Sequence, residues 1–352
     1  MLVKNIERIL NTAREMEASD VHLVNGNPPF IRKDGEIERI LYDGETIYDR
    51  ELVSMMKPEV QLRFENGEDA DFAYEDMYNR RYRVNVFRKR GEIAGVFRLL
   101  KHNISDFEQL GLPDILKEFS MLPRGLVLVT GPTGSGKSTT LSAMLDYVNK
   151  NKRGHIITIE DPVDYIHESI NCIISQRELG VDIASFKDGI RSALREDPDI
   201  ILVGEMRDQE TISAALTAVE TGHLVLATLH TTGAAKTIDR IIDVFPPHQQ
   251  QQVRVQLSSS LKCVVSQQLI KKIRGGRTAA YEIMVSNDAI ANMIREGKTF
   301  QINSSIQTGL KDGMVVMDKT LAHLVNIGII SSEEALEKCI NEKELKRFIT
   351  MG

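Results

Sequence analysis

Cysteine is scarce in this chain and tryptophan is absent. The 352 residues include Cys172, Cys263 and Cys339, an odd number that is widely scattered and contains no C-x-x-C pair. This pattern excludes a disulfide framework and a four-cysteine zinc site. It is typical of a protein that works in a reducing, cytosolic compartment.

Long hydrophobic runs are also lacking. No stretch approaches the roughly 20 consecutive apolar residues that a membrane-spanning helix needs. The first residues, MLVKNIERILNTAREMEASD, carry charges every few positions, which is unlike a signal peptide. We therefore expect a cytoplasmic protein without direct membrane insertion, whose association with any membrane goes through a partner.

An excess of basic charge is missing too. Lys and Arg number 44 against 50 Asp and Glu, which gives a net charge of −6, and aromatic residues make up only 5%. Nucleic-acid translocases need basic or aromatic elements along the bound strand, so we expect no nucleic-acid partner. The 42% of hydrophobic and 27% of charged residues are ordinary for a soluble globular protein, and the length suits about two domains.

Residues 1–100 predict an α+β domain. The first 20 residues predict an amphipathic helix, followed by short strands with a hairpin turn at Asp34-Gly35 and by a helix near 49–57. RRYRVNVFRKRGEIAGVFRLL then predicts two strands that turn near Arg90-Gly91. Residues 101–113 lose this periodicity and hold a glycine and a proline, so we place the domain linker there. The apolar positions at helical spacing in the first helix are Ile6, Ile9, Leu10, Ala13 and Met16.

Residues 114–352 predict an α/β domain. GLVLVT, HIITIE, DIILVGE and HLVLATLH are short continuous apolar runs, separated by stretches that can hold helices. Runs that are apolar on both faces and alternate with helices are typical of a parallel sheet covered on both sides. From about residue 285 the pattern is helical, and Ser331 with Glu334 predicts a helix start within it.

The stretch GPTGSGKST fits the phosphate-binding motif G-x-x-x-x-G-K-[ST], between a predicted strand and a predicted helix as that motif requires. Its glycines let backbone N–H groups point at phosphate oxygens, with a helix N-terminus adding positive potential. Lys137 would neutralise the β- and γ-phosphates, and Ser138 would coordinate Mg²⁺. We therefore expect ATP and Mg²⁺ as ligands. The candidate nucleotide-binding residues are Gly131, Pro132, Thr133, Gly134, Ser135, Gly136, Lys137, Ser138 and Thr139.

Two further runs end in carboxylates. HIITIEDP ends in Glu160 and Asp161, and DPDIILVGEMRD ends in Glu205. Hydrolysis of a γ-phosphate needs a positioned base for the attacking water and an acceptor near the metal. The residues alone leave open which carboxylate has which role, or whether one of them is a cap or a surface ion pair.

The run TGHLVLATLH has a histidine at each end. If it is a parallel strand, His230 at its carboxyl end lies in the crevice where α/β sheets bind ligands and can sense the γ-phosphate. His223 lies at the opposite end and is the weaker candidate for a nucleotide contact, since it could instead face a neighbouring element or subunit. Satisfied packing histidines are the alternative for both.

Residues 80–98 form a cationic stretch. A solvated strand face is the usual interpretation of such a run. Next to a phosphate-binding loop, the alternative is that one or two arginines reach a phosphate from another domain or subunit, as arginine fingers do. The basic residues of the stretch are Arg80, Arg81, Arg83, Arg88, Lys89, Arg90 and Arg98.

Taken together, these motifs resemble those of the secretion ATPases of type II and type IV pilus systems, most closely the retraction motors of type IV pili. ASDVHL and PPFIRKDGEI are similar to the start of that family's PAS-like N-terminal domain. GPTGSGKSTT resembles its Walker A motif, ITIEDPVDY its Asp box, LREDPDIILVGEMRD its atypical Walker B motif and GHLVLATLHT its His box. The resemblance covers nearly the whole chain.

The resemblance implies a PAS-like N-terminal domain and a RecA-like ATPase domain, assembled into a homohexameric ring. It implies Glu160 as general base, Glu205 as the metal-side carboxylate, with the Mg²⁺ bound through water, and His230 as γ-phosphate sensor. Arg81, Arg83 and Arg98 would approach the nucleotide across the domain interface. The implied activity is Mg-ATP hydrolysis that powers pilus retraction, at the cytoplasmic face of the inner membrane, through an inner-membrane platform protein and the pilin machinery.

The resemblance also separates retraction from assembly. AIANMIREGKTFQI, residues 289–302, is similar to the AIRAEL-type segment of retraction motors, and IQTGLKDGMVVMDKTL also resembles that subfamily. Assembly ATPases usually bring an extra N-terminal domain and a tetracysteine zinc module, and we expect neither here. An assembly or secretion ATPase remains the first alternative, and a RecA-like nucleic-acid translocase is a distant one. A scaffold with a degenerate nucleotide site is disfavoured by the intact lysine and carboxylates.

Overall fold

The computed structural model describes residues 4–33, 35–78, 80–100 and 104–351. The chain forms two compact units, Met1–Asn103 with Pro162–Ile166, and Ile104–Asp161 with His167–Gly352. Asp34 of the expected hairpin turn and residues 101–103 of the expected linker lie outside the described residues. Among the described residues, no helix combines the length and apolar character that crossing a membrane requires.

Within the described residues, the first unit is an antiparallel sheet with three helices. The order of its strands is β3-β2-β1-β6-β5-β4. The sheet and the helices share one core, and the predicted apolar face of the first helix is buried in it. The α+β expectation for this region is confirmed. Its elements are α1 (Lys4–Glu15), β1 (Asp20–Val24), β2 (Phe30–Lys33), β3 (Glu36–Arg39), α2 (Asp49–Ser54), α3 (Pro58–Glu65), β4 (Ala70–Glu75), β5 (Arg81–Lys89) and β6 (Glu92–Leu99).

A buried carboxylate, Asp76, organises the segment between β4 and β5. It accepts hydrogen bonds from Arg80 Nε at 2.7 Å, from the backbone N–H groups of Tyr78 and Arg80, and from Tyr82 Oη at 3.0 Å. Burial alone would raise the pKa of Asp76, but these hydrogen bonds, the Arg80 side chain first, outweigh burial and hold the pKa below its ordinary value. The ionised form therefore stabilises the fold.

We expect Asp76→Asn to lower the free energy of unfolding of this unit by roughly 1–3 kcal/mol at pH 7, because its donors lose a charged acceptor. A carboxylate with a depressed folded pKa contributes stability above its unfolded pKa and loses it as the pH falls through the folded pKa. The difference between variant and wild type should therefore shrink in urea unfolding at pH 3. Asp71→Asn, at an exposed site on β4, is the matched control and should change little at either pH. A deficit of the same size at both pH values would contradict this account.

The second unit is built on a seven-stranded sheet in the order β13-β12-β7-β11-β10-β8-β9. All neighbouring pairs are parallel except β12 with β13. Its strands are β7 (Gly125–Thr130), β8 (Gly154–Glu160), β9 (Cys172–Glu178), β10 (Ile200–Val203), β11 (Leu224–Leu229), β12 (Leu261–Lys271) and β13 (Arg277–Val285). The predicted apolar runs are four of these strands, and β7, β10 and β11 are buried throughout.

Helices cover both faces of this sheet, as two separate apolar clusters show. The last five form the predicted helical region, in which the Ser331 side chain accepts a hydrogen bond from the N–H of Glu334. The helices are α4 (Phe107–Leu110), α5 (Ile115–Ser120), α6 (Lys137–Asn151), α7 (Phe186–Ala193), α8 (Gln209–Glu220), α9 (Ala234–Asp243), α10 (Pro247–Ser260), α11 (Asp288–Glu296), α12 (Ile302–Thr308), α13 (Met317–Asn326), α14 (Ser332–Lys338) and α15 (Glu342–Met351).

The segment expected to be a linker contains a short helix. A reciprocal capping box between Asp106 and Gln109 starts α4, and Gly111 in the left-handed conformation ends it. Phe107 and Leu112 are buried in the core of the second unit. Local capping and packing against the core thus order this stretch, although its glycine and proline interrupt the apolar periodicity of the sequence.

Candidate nucleotide-binding site

The loop between β7 and α6 has the backbone of a phosphate-binding loop. The strand ends at Thr130, and α6 begins at Lys137 with Gly136 as its N-cap. Gly131, Gly134 and Gly136 have φ values of 142°, 78° and 91°, which side chains rarely adopt. The glycine spacing of the motif thus meets a conformational need of this loop, and the N-terminus of a helix of 15 residues faces it.

The lysine of the motif is folded against its own loop. Lys137 Nζ donates to the carbonyl oxygens of Gly131 at 2.9 Å and Pro132 at 3.0 Å, and the residue is only 8% exposed. Burial lowers the pKa of Lys137, and the negative charge of Glu205 acts in the opposite direction. A desolvated ammonium group gains from any anion that enters the loop, as a phosphate would.

Four neighbouring strands deliver the other predicted groups to the same edge. In the order β7-β11-β10-β8 they run parallel, so their carboxyl ends meet there. His230 follows β11, Glu205 lies two residues after β10, and Glu160 ends β8. The structure therefore brings the loop, both glutamates and His230 to one edge of the sheet.

Glu205 is a shared acceptor at this edge. Its Oε2 lies 2.8 Å from Arg207 Nε and 3.2 Å from His230 Nε2, and the carboxylate is 17% exposed. The imidazole is 40% exposed and so is accessible from the crevice. A ligand that draws His230 away would therefore change the contacts of Glu205.

Glu160 is held by its own sheet. Its Oε1 accepts a hydrogen bond from Thr158 Oγ1 at 2.7 Å and another from Gln176 Nε2 at 3.3 Å. Gln176 lies on β9, a strand that the sequence did not predict. The Glu160 carboxylate is thereby oriented by side chains of β8 and β9.

The residues present fit a nucleotide with its magnesium ion. Ser138, in the first turn of α6, is exposed at the loop, and the buried hydroxyl of Ser135 has no hydrogen-bond partner among the described residues. Hydroxyl and carboxylate oxygens are the ligands that Mg²⁺ prefers, with phosphate oxygens and waters completing its shell. Pro132, Thr133 and Gly134 form the exposed rim of the loop, and Thr139 is half-buried behind it.

His223 lies away from this edge. It immediately precedes β11, and its Nδ1 lies 2.9 Å from the carbonyl oxygen of Ala218 and 3.2 Å from Thr221 Oγ1. Leu224 pairs with Gly125 at the amino end of β7, whereas the phosphate loop follows the carboxyl end. The placement of His223 therefore does not support a contact with the nucleotide of its own chain, because a strand separates it from the loop. In this structure His223 contacts the last turn of α8 and the C-cap residue that follows it.

The predicted arginines lie in the first unit. Arg83 on β5 is paired directly with Arg98 on β6, and Arg98 in turn with Asp20 on β1. Arg98 Nε donates to Asp20 Oδ1 at 3.0 Å, while Arg83 is exposed. Arg81, two residues before Arg83, projects from the same face of β5. Like charges directly opposite each other cost stability, and the Asp20 carboxylate offsets part of that cost for the pair of Arg83 and Arg98.

Sequence reasoning missed the residues that support the loop from behind. Gln267 on β12 and Thr140 on α6 are 2% and 1% exposed, and their side chains are hydrogen-bonded to each other. The available signal was CVVSQQLI, in which polar residues interrupt an apolar run, since a buried polar side chain needs a partner.

The loop, its helix and the carboxylates at the ends of adjacent parallel strands define the class of P-loop nucleoside triphosphatases. More narrowly, the chain belongs to the family of type II/IV secretion system proteins, whose family model matches residues 1–337. The expectations for family and fold class are thereby confirmed.

Individual relatives are similar over nearly their whole length. The chain is 51% identical over 341 residues to the type IV pilus retraction ATPase PilT of Pseudomonas aeruginosa, covering 95% of this chain and 98% of that protein. It is 47% identical over 320 residues to a twitching motility protein of Neisseria gonorrhoeae, covering 90% and 86%. The crystal structure of the pilus retraction motor PilT with bound ADP matches with a TM-score of 0.90 at 46% identity, covering 97% of this chain and 99% of that one.

Proposed function

We propose that this protein is an ATPase motor that hydrolyses Mg-ATP to power the retraction of type IV pili. The observation that carries the proposal is a phosphate loop that shares one sheet edge with Glu160, Glu205 and His230, in a chain similar to retraction motors over nearly its full length.

Each group has a distinct task in this proposal. The loop N–H groups and Lys137 bind the β- and γ-phosphates, and Ser138 and Glu205 hold Mg²⁺, the latter through water. Glu160 accepts the proton of the attacking water. His230, in contact with Glu205, responds to the presence of the γ-phosphate.

Force would come from nucleotide-dependent closure between subunits of a homohexamer. ATP hydrolysis can shift a conformational equilibrium only if the two states bind the nucleotide differently. Arg81, Arg83 and Arg98 would supply that difference, because their positive charges are attracted more strongly to the nucleotide while the γ-phosphate is present. The motion would act on an inner-membrane platform protein and the pilin machinery, with the motor at the cytoplasmic face of the inner membrane.

Counting surface pili in cells whose only copy carries Lys137→Ala tests the direction of the motor. We expect more pili and loss of surface motility, because assembly continues without removal of fibres. Lys150→Ala, an exposed lysine in the last turn of the same helix, is the matched control and should behave as wild type. Cells without pili would instead assign the protein to pilus assembly, and normal numbers with normal motility would overturn the motor proposal.

A further inference from the structure

Gln267 places a buried amide beneath the phosphate loop. It lies on β12, which runs parallel to β7, with Ser266 paired to Thr130, the last residue before the loop. Gln267 is 2% exposed, at the end of the continuously buried stretch 263–267 of β12. A polar side chain in such a place is costly unless both of its ends are hydrogen-bonded.

Both ends of this amide are hydrogen-bonded. Its Nε2 donates to the carbonyl oxygen of Ser135 at 2.8 Å, and its Oε1 accepts from Thr140 Oγ1 at 2.8 Å. A backbone carbonyl can only accept, so the NH₂ group must face Ser135 and the orientation of the amide is fixed. One side chain thus joins the loop to the start of α6.

The loop also lies against Gln267 sterically. A Cβ added to Gly136 would lie 2.8 Å from Gln267 Nε2, and one added to Gly131 would lie 2.2 Å from the Gln267 carbonyl oxygen. Contact with the backbone of this strand therefore requires a glycine at position 131, and Gly136 leaves room for the Gln267 amide.

The hydrogen bond to Ser135 has a consequence on the other side of the peptide. In a planar trans peptide, the C=O of one residue and the N–H of the next point in opposite directions. Holding the Ser135 carbonyl towards β12 therefore directs the Gly136 N–H away from it, into the loop. We infer that Gln267 is a positioning residue for the nucleotide, because it aims the Gly136 N–H at the phosphates without touching them. This inference rests on the proposed function of the loop.

Gln267→Met, which keeps the length of the side chain and removes the amide, tests this role. We expect the Kd of ADP and the inhibition constant of pyrophosphate, which probes the loop without the base, both to rise roughly tenfold, as for loss of one buried hydrogen bond. The KM for ATP should rise by a similar factor with kcat within about threefold, because the same N–H bond serves ground state and transition state. If Gln267 had only a structural role, the variant would lose thermal stability without a rise in KM at nearly constant kcat.

Two controls keep the test decisive. Gln268→Met changes the next residue, whose Nε2 lies 3.3 Å from the carbonyl oxygen of Lys338, and should leave ADP binding unchanged. Thr140→Ser retains the hydroxyl and should behave as wild type, whereas Thr140→Val should weaken ADP binding even if Gln267→Met fails to fold. Wild-type ADP affinity in both Gln267→Met and Thr140→Val, or equal weakening in Gln268→Met, would overturn the inference. If wild-type protein neither binds ADP nor hydrolyses ATP, the proposed function fails instead.

Discussion

Glu160→Gln is expected to lower kcat for ATP hydrolysis about a thousandfold and to leave the Kd of ADP nearly unchanged. The glutamine cannot accept a proton from water, but its carbonyl oxygen can still accept from Thr158 Oγ1, so the side chain keeps its place. Steady-state hydrolysis and fluorescent ADP titration measure the two quantities. Glu168→Gln, an exposed glutamate in the segment after β8, is the control and should retain full activity.

Glu205→Gln should also reduce kcat strongly, but through the metal. Loss of a carboxylate weakens an oxygen site for Mg²⁺, and the loss should be partly relieved by raising the Mg²⁺ concentration. Glu160→Gln should show no such relief, because a missing base is not replaced by metal. Relief in Glu160→Gln together with none in Glu205→Gln would exchange the two roles, a choice that the sequence left open.

Gly131→Ala is expected to lower the free energy of unfolding of the second unit by about 3–5 kcal/mol. The new Cβ would lie 2.2 Å from the carbonyl oxygen of Gln267 and 2.6 Å from Ser135 Oγ, at a φ of 142°. The obstructing oxygen belongs to the backbone of β12, which is paired on both sides with β7 and β13 and cannot move alone.

Gly134→Ala is the matched comparison in the same loop. Its φ of 78° is also left-handed, but an added Cβ meets no heavy atom within 4 Å. Only the backbone preference is lost, which costs about 1–2 kcal/mol. Urea unfolding without nucleotide compares the two variants before any ligand contact contributes. Equal destabilisation would mean that the contact of Gly131 with β12 is not what requires a glycine.

The sequence was most informative where burial acts on both faces of a strand. β7, β10 and β11 are continuous apolar runs because helices cover both sides of the sheet, and the phosphate loop follows from local glycine spacing. β9 escaped prediction because it is an edge strand, mostly half-buried, with an apolar run of only three residues. The β12–β13 pair was missed because its place beside β7 depends on contacts between residues more than 130 positions apart.

The site was predicted in the same uneven way. Residues that follow strands, such as Glu160, Glu205 and His230, could be placed at one edge because parallel strands end together. His223 precedes β11 and His230 follows it, so these two histidines lie at opposite ends of the same strand. The roles of Arg81, Arg83 and Arg98 stay predictions, since a row of cations on a sheet face does not identify the anion it meets.

Strand β12 carries Gln267 against the phosphate loop, and Gln268, the next residue, against the carbonyl oxygen of Lys338 at the end of α14. Ile270, two residues further, is packed among the C-terminal helices. One peptide unit therefore separates the contact with the phosphate loop from the contact with those helices. At 0.1 M salt, interactions between exposed charges more than about 10 Å apart are largely screened, whereas the hydrogen bonds of a buried, paired strand are screened much less. The contacts that Gln267 and Gln268 make should accordingly persist at salt concentrations that weaken the exposed ion pairs of the first unit.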